Sequence, residues 1–195
     1  MLRHIIIFLG LATLLFSSSS FAMPDPLQQL QTTVDAVLVL LGDKNMDSEP
    51  KREKIRQLVV ERFAFNSMAQ RTLGKNWRKA DQAEQTRFIA LFSDLLEATY
   101  LHRIEAYTNE KVDYGNVRLK NNKAMVETEI VTSSVAIPIH YKLLQEKNSW
   151  KVYDVVIEGV SLIRNFRNSY DDILEREGFP GLFSRMEQKI AELKQ

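Results

Sequence analysis

Between Trp150 and Gly178 the chain reads WKVYDVVIEGVSLIRNFRNSYDDILEREG, and within that stretch the apolar period changes from two to about 3.6. From Trp150 to Glu158 the residues alternate as in a strand. Straight alternation puts Tyr153, Val155 and Ile157 on one face and Trp150, Val152, Asp154, Val156 and Glu158 on the other. Gly159 breaks the run. Ser161 fits a helix N-cap, and Ile163, Phe166, Tyr170, Ile173 and Leu174 recur at helical spacing until Gly178 offers a C-terminal stop. A strand turns directly into an amphipathic helix, so the fold must combine both element types.

Upstream, the pattern is first helical and then extended. Asp25 and Pro26 form an N-cap and first-position pair for a helix with Leu27, Leu30, Val34, Val37, Leu38 and Leu41 as its stripe, ending at Gly42. A second helix starts at Ser48 or Glu49, before Pro50, and carries Ile55, Leu58, Val59 and Phe63. A short third follows Asn66 and stops at Gly74. Asp81 with Glu84 three residues later resembles a capping box. From there Phe88, Leu91, Phe92, Leu95, Leu96, Thr99, Tyr100, Ile104 and Tyr107 cover more than one packing stripe, so this helix can touch two surfaces.

Four strands are predicted next, over Lys111–Leu119, Ala124–Thr132, Val135–Leu144 and Ser149–Glu158, with turns at Asn121-Asn122 and Lys147-Asn148. Such short loops imply an antiparallel meander. In the third strand Val135, Ile137, Ile139, Tyr141 and Leu143 share a face, and Pro138 marks an edge or a bulge. A last helix begins near Gly181. The expectation is an α+β fold: N-terminal helices, a four-stranded antiparallel meander, and C-terminal helices enclosing an apolar pocket.

Of the 195 residues, 45% are apolar or aromatic and none is cysteine, which removes disulfides and thiolate chemistry. Arg3 and His4 precede an uncharged run of 12 residues, Ile5 to Phe16, followed by small residues up to Ala22. A membrane-spanning helix needs roughly 20 apolar residues, so this run reads as a cleaved secretory signal over 1–22, leaving one domain over 23–195. Without Arg3 the acidic and basic side chains balance at 25 each, which gives no basic excess for nucleic acid. The mixed run Lys51, Arg52, Glu53, Lys54 and Arg56 reads as the solvated side of a helix.

Catalytic chemistry is sparse. His4, His102 and His140 are isolated and lack metal-ligand spacing. Asp154 and Glu158, predicted on one strand face, could divide acid and base roles, but no nucleophile elbow, phosphate-cradling loop or metal cluster accompanies them. Their expected role is structural, in cross-strand pairing or helix capping. The sequence therefore predicts neither an enzyme nor a cofactor or metal.

Two separated segments carry a family resemblance. Trp150 to Gly181 resembles the C-terminal signature of the MlaC family of periplasmic phospholipid-binding proteins, also called the toluene-tolerance auxiliary family. Arg71 to Tyr107, with Leu73-Gly74, Trp77, Gln85, Phe88, Phe92, Leu95-Leu96 and Tyr100, is similar to that family's central helical segment. The resemblance implies a periplasmic carrier that holds phospholipid acyl chains between a sheet and helices. It also implies exchange with the substrate-binding subunit of an inner-membrane ABC transporter and with an outer-membrane lipoprotein-porin complex. By motif it places Val160, Ile163, Leu95 and Tyr100 beside the lipid. Alternation adds Val135, Ile137, Ile139, Tyr153, Val155 and Ile157, and the helical repeat adds Phe166. The pocket is expected to pass beside the turn Gly159–Ser161, in a protein acting as a monomer. Two other classes stay open at this point: a periplasmic chaperone or peptide-binding module, and a small hydrolase.

Overall fold

The computed structural model describes residues 24–105, 111–132 and 135–194. The expected signal over 1–22, His4 and Tyr107 lie outside these residues, as does the side chain of His102. The order is α1 (Pro26–Gly42), α2 (Ser48–Arg62), α3 (Phe65–Leu73), a 3₁₀ turn (Gly74–Arg78) and α4 (Gln82–Glu105). Strands β1 (Lys111–Lys120), β2 (Lys123–Val131), β3 (Ala136–Glu146), β4 (Ser149–Ile157) and β5 (Val160–Ser161) follow, and α5 (Leu162–Leu193) ends the chain.

The starts of α1, α4 and α5 are fixed by side chains that satisfy otherwise unpaired backbone N–H groups, whereas α2 and α3 begin without a side-chain cap. The Asp25 carboxylate accepts from Gln28 N at 2.9 Å, with Pro26 entering the helix behind it. At α4 the capping box is reciprocal: Glu84 N donates to Asp81 Oδ1 at 2.7 Å, and Asp81 N donates to Glu84 Oε2 at 2.9 Å. Ser161 Oγ accepts from Arg164 N at 3.2 Å to start α5. The third helix begins at Phe65, slightly before its expected start after Asn66.

The sheet is antiparallel in the order β1-β2-β3-β4-β5, one strand more than expected. The extra strand exists because Glu158 and Gly159 both take positive φ, 50° and 82°, as a two-residue hairpin turn requires. Val160 and Ser161 can therefore pair with Ile157 and Val156 before the helix begins. Glu158 lies in that turn, so it does not share a strand face with Asp154. Asn121 and Lys147 carry the positive φ of the other predicted hairpins.

Two face assignments change. Pro138 lies on β3, an interior strand paired on both sides. Its carbonyl accepts from Glu158 N at 3.0 Å, and its lack of an N–H falls where the β3–β4 ladder ends, so it breaks no inner rung. The β3–β4 ladder is irregular in β4 instead: Leu143 pairs with Val152 and Lys142 with Asp154, which leaves Tyr153 as an extra residue. This bulge reverses the parity of the strand. Val152, Val155 and Ile157 thus share one face, and Tyr153 leaves the set predicted with Val155 and Ile157. Val135 precedes β3 and is 54% exposed.

Two apolar clusters result. The helical one joins α3, α4 and α5 through Met68, Leu73, Phe88, Phe92, Leu182 and Phe183. Phe88 and Phe92 stack with ring centroids 5.6 Å apart, and Tyr170 meets Phe88 edge-on at 5.9 Å. The second cluster lies on the sheet, where Leu30 of α1 is buried with Ala124, Val126, Leu143 and Val152. Phe63, in the α2–α3 connection, packs against both clusters. It forms a bridge with Val152, and Ala64 N donates to Val152 O at 2.8 Å.

Helix α5 bends at Gly178, whose φ of 65° and ψ of −168° lie in a region that is essentially restricted to glycine. The bend turns Leu182, Phe183 and Met186 onto α4. Gly178→Ala should lower unfolding free energy by about 1–3 kcal/mol, measured as an earlier urea midpoint; an unchanged midpoint would show that the bend tolerates a side chain.

Candidate functional site

Cross-strand pairing resolves the sheet's apolar face into rows. The first joins Ala124, Leu143 and Val152; the second joins Val117, Val126, Tyr141 and Val155. A third joins Tyr114, Thr128, Ile139, Ile157 and Val160, and a fourth joins Val112, Ile130 and Ile137. Burial declines along this series. Ala124, Leu143 and Val152 are fully covered, whereas Ile130 and Ile137 are half-buried and Val160 is 61% exposed.

Helix α1 causes the gradient. Its first half sets Leu27, Leu30 and Val34 on the face. In its second half Val37, Leu38, Leu40 and Leu41 are half-buried and Val39 is 73% exposed, although nothing in this segment is charged between Ala36 and Gly42. An apolar sheet end and an apolar helix half are thus both incompletely covered, a patch of the kind that marks a binding surface.

The covered end is locked by Arg62 at the C-terminus of α2. Its Nε donates to Thr33 Oγ1 at 2.9 Å, and its Nη1 donates to Trp150 O at 2.8 Å and Gln29 Oε1 at 3.1 Å. Trp150 N also donates to Gln29 Oε1 at 2.8 Å, and Trp150 Nε1 to Pro24 O at 2.8 Å. Burial pulls the Arg62 pKa down, because this guanidinium is held by neutral acceptors. Farther along, Tyr114 Oη donates to Asp35 Oδ1 at 2.8 Å. Burial, reinforced by this bond to Asp35, raises the Tyr114 pKa and keeps the phenol neutral.

The sequence-predicted residues divide among these surfaces. Ile137, Ile139, Val155, Ile157 and Val160 line the graded face. Leu95 and Ile163 are buried in the helical cluster, with Tyr100, Tyr153 and Phe166 packed against it. Val135 lies exposed beyond the strand. Sequence reading passed over Ile130, Val117, Tyr141 and the second half of α1 as lining; the uncharged run from Val37 to Leu41 was the available signal.

Asp154, 4% exposed, joins sheet to helix. Its Oδ2 accepts from Lys142 Nζ at 2.9 Å and Ser161 Oγ at 2.8 Å, and its Oδ1 accepts from Ile163 N at 3.2 Å. These are the cross-strand and capping roles expected for it. Beside it, at the turn into α5, is a cavity of about 190 Å³ lined by Arg71, Lys142, Tyr153, Asp154, Ser161, Ile163, Arg164 and Arg167. A cavity therefore does lie beside Ser161, and its lining is mainly polar. A larger one, about 440 Å³, separates α2 from α4 and the end of α5, between Arg52, Arg56, Glu49, Glu53 and Glu97. Among the described residues no cluster of three or more His, Asp or Glu side chains has the geometry of a metal site.

Fold and site together define an α+β domain whose meander presents one apolar face, sealed by a helix at one end and open at the other. The family model described as MlaC protein matches residues 31–188, and the chain belongs to that family. The resemblance carried by Trp150–Gly181 and Arg71–Tyr107 is thereby borne out. The chain is 21% identical over 192 residues to the Haemophilus influenzae intermembrane phospholipid transport system binding protein MlaC, covering 93% of this chain and 90% of that one. It is 26% identical over 103 residues to the toluene tolerance protein ttg2D of Pseudomonas putida, covering 52% and 48% respectively. Among solved structures, the phospholipid-binding protein from Ralstonia solanacearum in complex with a phospholipid superposes with a TM-score of 0.78 at 26% identity, covering 88% of this chain and all of that one.

Because Arg62 satisfies buried acceptors on α1 and β4, Arg62→Ala should cost about 2–3 kcal/mol. Hydrogen exchange should then quicken along α1 while α4 stays protected. Unchanged α1 protection would mean that Leu27 and Leu30 hold the helix without the guanidinium.

Proposed function

We propose that this protein is a periplasmic phospholipid carrier and not an enzyme, with acyl chains lying against the open end of the sheet's apolar face. The observation that carries the reading is the incompletely covered end of the sheet face, formed by half-buried Ile130, Ile137 and Ile157 and exposed Val160, in a fold whose first helix also leaves its uncharged second half incompletely covered. Its fold neighbour with a bound phospholipid supports the same class of ligand.

The magnitude of the task explains such a surface. Two acyl chains hold on the order of 30 methylenes, and at about 0.8 kcal/mol each their exposure costs roughly 24 kcal/mol. A carrier must recover most of that by apolar contact without holding the lipid much more tightly than a bilayer does. A surface closed at one end and open at the other meets both requirements: chains can slide in, and they can slide out when a partner binds. Directionality then comes from docking, with an inner-membrane ABC transporter's substrate-binding subunit on one side and an outer-membrane lipoprotein-porin complex on the other. Asp154 serves this design as an anchor, its oxygens occupied by Lys142, Ser161 and the Ile163 N–H rather than facing a reacting atom.

Val160→Glu tests the placement, since Val160 is exposed and a charge there leaves the core intact. Protein purified from the periplasm should yield stoichiometric phospholipid on solvent extraction and mass spectrometry, and the folded Val160→Glu variant should yield little. Full occupancy in the variant would move the chains elsewhere. An empty wild-type protein that binds unfolded polypeptide would replace the carrier with a chaperone.

A further inference from the structure

The cavity beside the β4–α5 junction has a charge composition that the apolar face does not explain. Arg71, Lys142, Arg164 and Arg167 line it together with one carboxylate, in a chain whose overall formal charge is only +1. That carboxylate is committed, because Asp154 binds Lys142, Ser161 and the Ile163 N–H. The three arginines lack any carboxylate partner among the described residues. Arg71 donates to Ser67 Oγ at 3.1 Å and lies 4.3 Å over the Tyr153 ring. Arg167 donates from Nε to Arg71 O at 2.9 Å, and again from Nη2 to the same oxygen. Those bonds fix Arg167 and Arg71 beside each other, against the repulsion of their like charges.

Several surface arginines elsewhere are neutralised locally, as in Arg56 with Glu53, Arg185 with Glu177 and Arg118 with Glu127. Here the anion is left out. The backbone N–H groups of Ile163 and Arg164 at the start of α5 are already taken by Asp154 and Ser161, so the side chains supply the free donors. Guanidinium forks match the oxygens of a phosphate, and clustered ones need such an anion to offset their repulsion. A volume of about 190 Å³ is below that of a drug-sized pocket and suits a phosphate with little attached.

We infer that this cavity is a phosphate-group site, with Arg71, Arg164 and Arg167 as its donors and the bulge at Tyr153–Asp154 as its floor. Two sources share that chemistry: the phosphodiester of a lipid head group and soluble phosphate. Strand β5 favours the first, because it has Val160 paired into the apolar row and Ser161 lining the cavity. A lipid could thus cross the edge strand with its chains on one side and its phosphate on the other. Only this assignment of the source rests on the carrier reading.

The test uses the mature protein and its Arg164→Gln and Arg71→Gln variants. Inorganic phosphate, followed by NMR of the arginine Nε–Hε signals, should shift Arg71, Arg164 and Arg167 but not Arg118 or Arg185, and each variant should weaken the affinity about fivefold or more. Vesicles offering phosphatidylglycerol or diacylglycerol with identical acyl chains then separate the sources. A wild-type preference for phosphatidylglycerol that shrinks in Arg164→Gln supports the head group, whereas phosphate binding without that preference supports a soluble anion at the same site. Phosphate binding by a protein that takes up neither lipid would defeat the carrier reading and leave this one standing. No shift at the three arginines, or wild-type affinity in both variants, would overturn it.

Discussion

The contact on which the rest of the structure depends is the buried Asp154 carboxylate at the bulge of β4. By binding Lys142 on β3, Ser161 on β5 and the first turn of α5, it joins three elements at one point. A buried charge is tolerable only when it is paired and hydrogen-bonded, and here both oxygens are satisfied. The same bulge restores apolar parity, so that Val152 and Val155 stay on one face although Tyr153 lies between them. Without the extra residue, either the inner or the outer half of β4 would direct its valines to the polar side.

Keeping that face continuous creates the burial gradient. At the β4 start, Arg62, Gln29 and Trp150 bind α1 to the sheet, and the apolar residues beneath are sealed. Toward Ile137 and Val160 comparable polar ties thin out to the Tyr114–Asp35 bond, and the apolar surface stays partly open. The helical cluster around Phe88, Phe92 and Leu182 is a second body of packing, joined to the sheet through Phe63 and Tyr153. It supplies a rigid support from which the sheet and α1 can differ in cover without loss of the fold.

Most local signals in the sequence, where one or two residues decide the outcome, were read correctly. Asp25-Pro26, the Asp81–Glu84 box, Ser161 and the hairpin at Asn121 act through short-range sterics and capping, and Gly178, read as a helix stop, is the non-helical residue at which α5 bends before continuing. Non-local choices were not legible. Alternation counted through Trp150–Glu158 misplaced Tyr153, because a bulge is set by the partner strand and leaves no pattern of its own. Pro138 was read as marking an edge or a bulge, when the strand merely outlasts β4 there. Val135 was added to the face by parity, although β3 begins one residue later. For the candidate site, Ile137, Ile139, Val155 and Ile157, placed by alternation, share one face with Val160, placed by the resemblance, while Leu95, Ile163 and Phe166 belong to the helical packing. The arginine cluster could not be seen in sequence, since Arg71 and Arg167 are 96 positions apart.

The proposed carrier holds its acyl chains at the open end of the sheet face rather than in the helical cluster. Methyl-labelled protein loaded with phospholipid tests this most directly through intermolecular NOEs. NOEs are expected from acyl methylenes to Ile130, Ile137, Ile157 and Val160, with those to Leu73, Leu182 and Met186 absent. Acyl NOEs confined to Leu95, Ile163 and their helical neighbours would contradict it.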